Sequence, residues 1–136
     1  MQVFNAFLAD RSNGIHDLST DVLRMALTNV APDASVDAVF ADITEIAAGN
    51  GYTAGGEVVT ITSSAQVAGL YSLVPAADIV WTAVNTMASF RYVVLYNSSA
   101  TNQNLISFYD KLSVVSLTAP GTFTADVGAT LITDSE

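Results

Sequence analysis

The chain repeats one local pattern: short runs of β-branched and aromatic residues, cut by Ser, Asn, Gly and Pro. EVVTIT (57–62), QVAGLYSLV (66–74), DIVWTAV (78–84), FRYVVLYN (90–97), LISFYD (105–110), LSVVSLT (112–118) and TFTADV (122–127) share this form. Such runs favour a pleated, half-buried backbone. Their internal period is two. In DVLRMALTN (21–29), Leu23, Met25 and Leu27 fall on one side, with Arg24, Ala26 and Thr28 on the other. Ile79, Trp81 and Ala83 alternate with Val80 and Thr82 in the same way, which assigns Trp81 to the core. FRYVVLYN is apolar on both sides apart from Arg91, the pattern of a central strand covered on both faces.

A series of about eight or more such strands predicts an all-β fold in the main, an antiparallel β-sandwich of the jelly-roll type. One segment departs from period two. In SVDAVFADITEIAAG, Val36, Val39, Phe40, Ile43 and Ile46 recur at spacings of three and four, predicting a short helix near residues 36–47. Ser35 or Asp33 would cap it and Gly49 would stop it, while DITEI is open to pairing as an edge strand instead. With 136 residues and neither internal repeat nor linker, residues 1–136 are expected to form a single domain. Two ends stand apart. Residues 1–14 read equally as an N-terminal docking arm, presenting Val3, Phe4, Phe7 and Leu8, or as a first strand covering the core. Residues 131–136 form an acidic tail expected to fray.

Composition narrows the function. The chain is 51% hydrophobic but only 12% charged, against roughly 25–35% charged residues on a typical free surface. Ser, Thr, Asn and Ala must cover much of the exterior, which suits a chain that buries part of its surface against copies of itself or a larger assembly. The plainer alternative is a Thr-rich β-domain that is polar without being charged. Thirteen acidic residues against Arg11, Arg24, Arg91 and Lys111 leave a net charge of −9. That balance repels phosphate backbones and anionic lipids, so neither nucleic acid nor membrane is an expected partner. The start lacks the basic and apolar regions of a secretory signal, and no apolar run reaches membrane-spanning length. Cysteine is absent, which excludes disulfides and thiolate metal sites and permits assembly in a cytoplasm.

The stretch AAGNGYTAGG (47–56) raises the question of a phosphate-binding loop. Such a loop follows a strand and opens a helix, with Lys and Ser or Thr completing it. Here Gly49, Gly51, Gly55 and Gly56 precede a strand, and no lysine occurs before Lys111. The glycines are therefore expected to turn the chain, with Tyr52 as a loop anchor or, alternatively, a partner contact. His16 stands beside Asp17 as the single histidine, with no serine singled out to complete a relay. Asp33, Asp37, Asp42 and Glu45 are accounted for by the start of the expected helix. No calcium-loop spacing or zinc ligand set occurs. No enzyme activity, cofactor or metal is expected.

Three motifs carry a likeness. Ala26-Leu27-Thr28-Asn29 with Ala31-Pro32, Glu45-Ile46 with Gly49-Asn50-Gly51-Tyr52, and Arg91-Tyr92 with Leu95-Tyr96-Asn97 occur in that order. In this the chain resembles a group of small tailed-bacteriophage virion proteins, over about residues 15 to 130. As a set the motifs are fairly specific for phage origin and much less so for location on the particle. The resemblance implies a non-enzymatic structural protein, most like a capsid decoration or cement protein on the outer surface of the virion capsid, assembled in the host cytoplasm. Its implied partners are the major capsid protein and itself, as a homodimer or higher oligomer on the shell. A tail- or fibre-associated structural protein is the alternative, followed by a host-surface or carbohydrate-binding module.

Overall fold

The computed structural model describes residues 1–135. In chain order the elements are β1 (Gln2–Val3), α1 (Asn5–Ser12), β2 (Leu23–Thr28), β3 (Glu57–Val59), β4 (Ile61–Val67), β5 (Leu70–Pro75), β6 (Ile79–Thr82), β7 (Phe90–Asn97), β8 (Leu105–Val115), β9 (Thr122–Ala125) and β10 (Ile132–Ser135). The fold is mainly β, and every strand pairing is antiparallel. A five-stranded sheet runs β1-β8-β7-β2-β3, a three-stranded sheet β10-β5-β4, and β6 pairs with β9.

Strand β7 sits at the middle of the large sheet, as its two apolar faces require. Its register with β2 places Met25 opposite Leu95 and Leu27 opposite Val93, all facing the main core. Ala26 opposite Val94 faces the other way. A one-residue slip would exchange these two sets, so burial on both sides fixes the pairing. The main core adds Leu73, Ile79, Trp81, Phe123, Val127 and Leu131 from the smaller sheets and their connections. Trp81 is 1% exposed, in keeping with its period-two placement. The second cluster holds Phe4, Ala26, Tyr92, Val94, Tyr96, Leu105 and Phe108.

The cover over that second cluster is not the expected helix. Residues 36–47 contain only a 3-10 turn at Phe40–Asp42, and the segment otherwise runs as an irregular strap. Phe40 stacks on Tyr96 at 4.1 Å between ring centroids, and Ala34 and Ile43 pack beside it. Acidic side chains bond nearby backbone N–H groups in the turns of this segment. Asp42 accepts from Ala38 and Val39, Asp37 from Asp33, and Asp33 from Ser35. Such bonds cap the short turns, the Asp42 carboxylate reaching back to the Val39 N–H at the start of the 3-10 turn as in a capping box. The strap is also tied along the sheet, with Phe40 N–H donating to the Gln103 carbonyl, Leu105 N–H to Ala38, and Ile46 N–H to Leu27. The alternative edge pairing of 42–46 reduces to one bridge, Thr28 with Glu45.

The α-helix lies instead at Asn5–Ser12, where an arm or strand was expected. Only Gln2 and Val3 pair as strand, against Phe108 and Ser107. Arg11 in the last turn complements the helix dipole. The fraying expected of 131–136 does not hold for Ile132–Ser135, which pairs with Leu73 through Leu70, and Leu131 and Ile132 are buried. Residue 136 lies outside the described residues. The expected separate strand at 112–118 is in part an extension of β8, where four residues between Asp110 and Val115 swell outward opposite Arg91.

Glycine is required where the chain enters β3. Gly56 has φ +71°, and an added Cβ would meet the Met25 carbonyl oxygen at 1.9 Å. Gly69, with φ +84°, turns the β4–β5 hairpin in open space. Gly56→Ala is expected to lower stability by more than about 2 kcal/mol, and Gly69→Ala by only about 1 kcal/mol. Paired urea denaturation curves check this. Equal losses would show that φ alone, and not contact with β2, sets the demand at Gly56.

Candidate functional site

The residues singled out by the sequence fall into three places. The first is the glycine stretch, folded onto β2 and β7. Tyr52 is 3% exposed. Its hydroxyl accepts from Leu27 N–H at 3.1 Å and donates to Glu45 Oε1 at 2.5 Å. The same carboxylate oxygen accepts from Gly55 N–H. Tyr96 donates to the Gly55 carbonyl at 2.8 Å, and the Arg24 guanidinium donates to the Gly56 carbonyl at 3.1 Å. Burial, reinforced by the hydrogen bond to Glu45, pushes the Tyr52 phenol far above its usual range. It stays a neutral donor. The stretch therefore holds itself down through a network of satisfied polar groups, and Tyr52 is an anchor without a surface to offer a partner.

The second place is the N-terminal segment. Phe4 is wholly buried and Phe7 nearly so, in the second cluster and the main core respectively. Phe4 packs 5.2 Å from Phe108. Neither side chain can serve as an arm's contact in this conformation. Val3 and Leu8 are exposed, and with Met1, Phe7, Arg11, Ile106, Ser107 and Ile132 they line a shallow cavity of about 120 Å³.

His16 marks the third place. Asn97 Nδ2 approaches its Nδ1 at 3.1 Å and also donates to Asp21 Oδ2, and Phe7 lies 5.1 Å from the ring. Its Nε2 is buried and finds no partner among the described residues. Burial lowers the imidazole pKa, and Asp10 and Asp21 act in the opposite direction. Ser19, Ser64 and Tyr71 face the same open hollow, with Ser64 and Tyr71 bonded to each other at 2.9 Å. No serine among the described residues is bonded to His16, and the geometry there is that of a half-buried structural histidine. Among the described residues there is no cluster of three or more His, Asp or Glu able to hold a metal. No helix among them is long and apolar enough to cross a membrane.

What the surface does offer is apolar side chains on strands. Val67 is 73% exposed and Leu112 80%, with Leu70, Val80 and Val114 also exposed. Leu112 sits at the tip of the β8 swelling with φ +64°, a conformation that costs a leucine roughly 1–2 kcal/mol. Arg91 clamps the base of the swelling through a two-bonded pair with Asp110 at 2.8 and 2.9 Å. That exposed leucine escaped sequence reading, because LSVVSLT looks like any other strand. No protein-family model matches the chain, and no curated protein and no solved structure matches it.

Two expected outcomes follow from the buried polar groups. Tyr52→Phe leaves the Leu27 N–H without its acceptor inside the core, and is expected to cost about 1–3 kcal/mol in urea denaturation. A neutral result would remove the anchor role. His16 is the only histidine, and its folded pKa lies below its unfolded one. The unfolded chain therefore binds the extra proton first. Stability is full above the usual histidine pKa and declines as pH falls from there through the folded value. Urea midpoints measured across this window should decline with acid in the wild type and flatten in His16→Gln. An unchanged slope in the variant would assign the effect elsewhere.

Proposed function

We propose that this chain is a non-enzymatic structural protein of a tailed-phage virion, one that decorates the assembled capsid and stabilises it by bridging neighbouring major capsid proteins. The observation that carries this reading is the pairing of a low-charge exterior with exposed apolar side chains on strands. Recognition is then spread over a broad surface. Many modest contacts, repeated over a shell, shift the equilibrium toward the assembled form because only that form is bound. The strap residues Asp33, Asp37 and Asp42 supply acidic charge to complement basic patches on a capsid partner.

A jelly-roll sandwich is the architecture we propose for this role. It is supported by antiparallel sheets that share one core, the large sheet giving Met25, Leu27, Val93 and Leu95 and the smaller ones Leu73, Trp81 and Phe123. Burial of Trp81 counts against a carbohydrate-binding module that would use it as a stacking platform.

The test is the ratio of this chain to the major capsid protein in purified virions, with tailless heads measured alongside. Near-stoichiometric amounts retained on tailless heads are expected. A low copy number lost together with the tails would sink the capsid assignment and move the domain to the tail.

A further inference from the structure

We propose that β4 pairs antiparallel with β4 of a second copy of this chain, joining two three-stranded sheets into one six-stranded sheet across a two-fold axis. The inference goes beyond the capsid reading and is tested separately, since purified chain suffices.

β4 is the outermost strand of β10-β5-β4 and, at seven residues, the longest of the sheet-edge strands. Thr62, Ser63, Ala65, Gln66 and Val67 are all exposed. Edge strands are ordinarily guarded by charge, proline or a cover. β4 contains neither a charged residue nor a proline, and its one irregularity lies at its start, between Ile61 and Ser63. The other edges differ: β1 has two residues, and β3 has three and carries Glu57.

The hairpin turn decides which main-chain groups are free. Ala68 and Gly69 form a two-residue loop with φ +52° and +84°, closed by Val67 opposite Leu70. In such a hairpin the closing pair exchanges both hydrogen bonds, and bonded pairs then alternate along the ladder. Val67 and Ala65 therefore bond inward to β5. Ser64 and Gln66 direct their N–H and C=O groups away from it. A two-fold axis at Ala65 sets Ser64 opposite Gln66 of the second copy, and Gln66 opposite its Ser64. Four main-chain hydrogen bonds result, and the two small Ala65 side chains meet at the centre.

Charge selects the occupant. Between Glu57 and Asp78 twenty residues carry no charged side chain. Of the other runs of more than a dozen uncharged residues, 92–109 is largely buried in β7 and β8, and 112–125 is shorter and adjoins Lys111 and Asp110. For a chain of net charge −9, the exposed β4–β5 hairpin is the approach along which two copies meet with least repulsion. A basic partner would be drawn to the acidic strap instead.

The test measures mass by sedimentation velocity on the full chain over a concentration series. Wild type is expected to dimerise. Gln66→Pro removes one outward N–H while sparing the ladder to β5, and should be monomeric with unchanged far-ultraviolet circular dichroism. Ala65→Lys sets like charges face to face, and its dimer should weaken at low salt and recover at high salt. Because the chain has no cysteine, Ala65→Cys introduces a single thiol. Facing residues of a non-bonded pair lie about 4.5 Å apart at Cα, within disulfide reach, so this variant should crosslink on oxidation well before the exposed control Val58→Cys. A wild type that is monomeric throughout overturns the proposal. So does an Ala65→Cys variant that crosslinks no faster than the control, and this readout holds even if Gln66→Pro fails to fold. A heterologous strand pairing on β4 in place of a second copy would likewise overturn it.

Discussion

Apart from Arg91, strand β7 meets water on neither face, and most of the molecule follows from that. Tyr92, Val94 and Tyr96 point one way and Val93 and Leu95 the other, all buried. A strand of this kind needs a neighbour on each edge and a layer on each side. β2 and β8 supply the edges. The small sheets and Phe7 of α1 supply one layer, with Trp81 and Phe123 stacked at its centre. For the other side the chain has little regular structure left. It uses Phe4 and the 30–47 strap, pinned by hydrogen bonds to the sheet it covers.

This arrangement also explains where the three motifs of the phage resemblance sit. The end of β2, the loop from Glu45 to Gly56 and the body of β7 converge on one buried node. Leu27, Glu45, Tyr52, Gly55 and Tyr96 are joined there by hydrogen bonds. Each replaces a bond to water that burial has removed, and leaving any one of them unmade is costly. The motifs are therefore scaffold residues. They describe how a sheet of this kind is closed, and the exposed apolar side chains, Val67, Leu70 and Leu112 among them, lie elsewhere.

The same distinction governs what could be read from sequence. Period two placed Leu23, Met25, Leu27, Trp81 and all of β7, because alternation directly records which side faces water. The glycine stretch was legible as a turn, since it leads into a strand and no lysine occurs before Lys111. The strap misled because Val36, Val39, Phe40, Ile43 and Ile46 have helical spacing, yet Val36 ends exposed while Phe40 and Ile46 go to different clusters. Periodicity counts apolar residues; it does not show the sheet that takes the Phe40 N–H at Gln103 and the Ile46 N–H at Leu27. α1 was hidden for the opposite reason: with eight residues and no side-chain cap bond, its helicity depends on Phe7 docking into the core and not on local signal. Leu112 shows the limit at the surface, where a positive φ is set by the four-residue swelling and by Asp110 accepting from the Leu112 N–H.

Charge ties the covers to the exterior. Eight of the thirteen acidic residues lie in the first 57 positions, among the helix, the strap and the loops around them. Those segments lack long ladders, and carboxylates stand in for the missing backbone partners, as Asp17, Asp21, Asp33, Asp37 and Asp42 all do. The strands after residue 57 largely satisfy one another, and carboxylates help only at breaks in the ladders, as Asp78, Asp110 and Asp126 do, so their exteriors are left mostly to Thr, Ser, Ala and Val. The acidic and the uncharged regions of the surface are thus two results of one requirement, that every backbone group find a partner. At the outer edge of β4 that requirement is met by nothing within the described chain, and this is what makes strand pairing, more than any pocket, the interaction we propose for it.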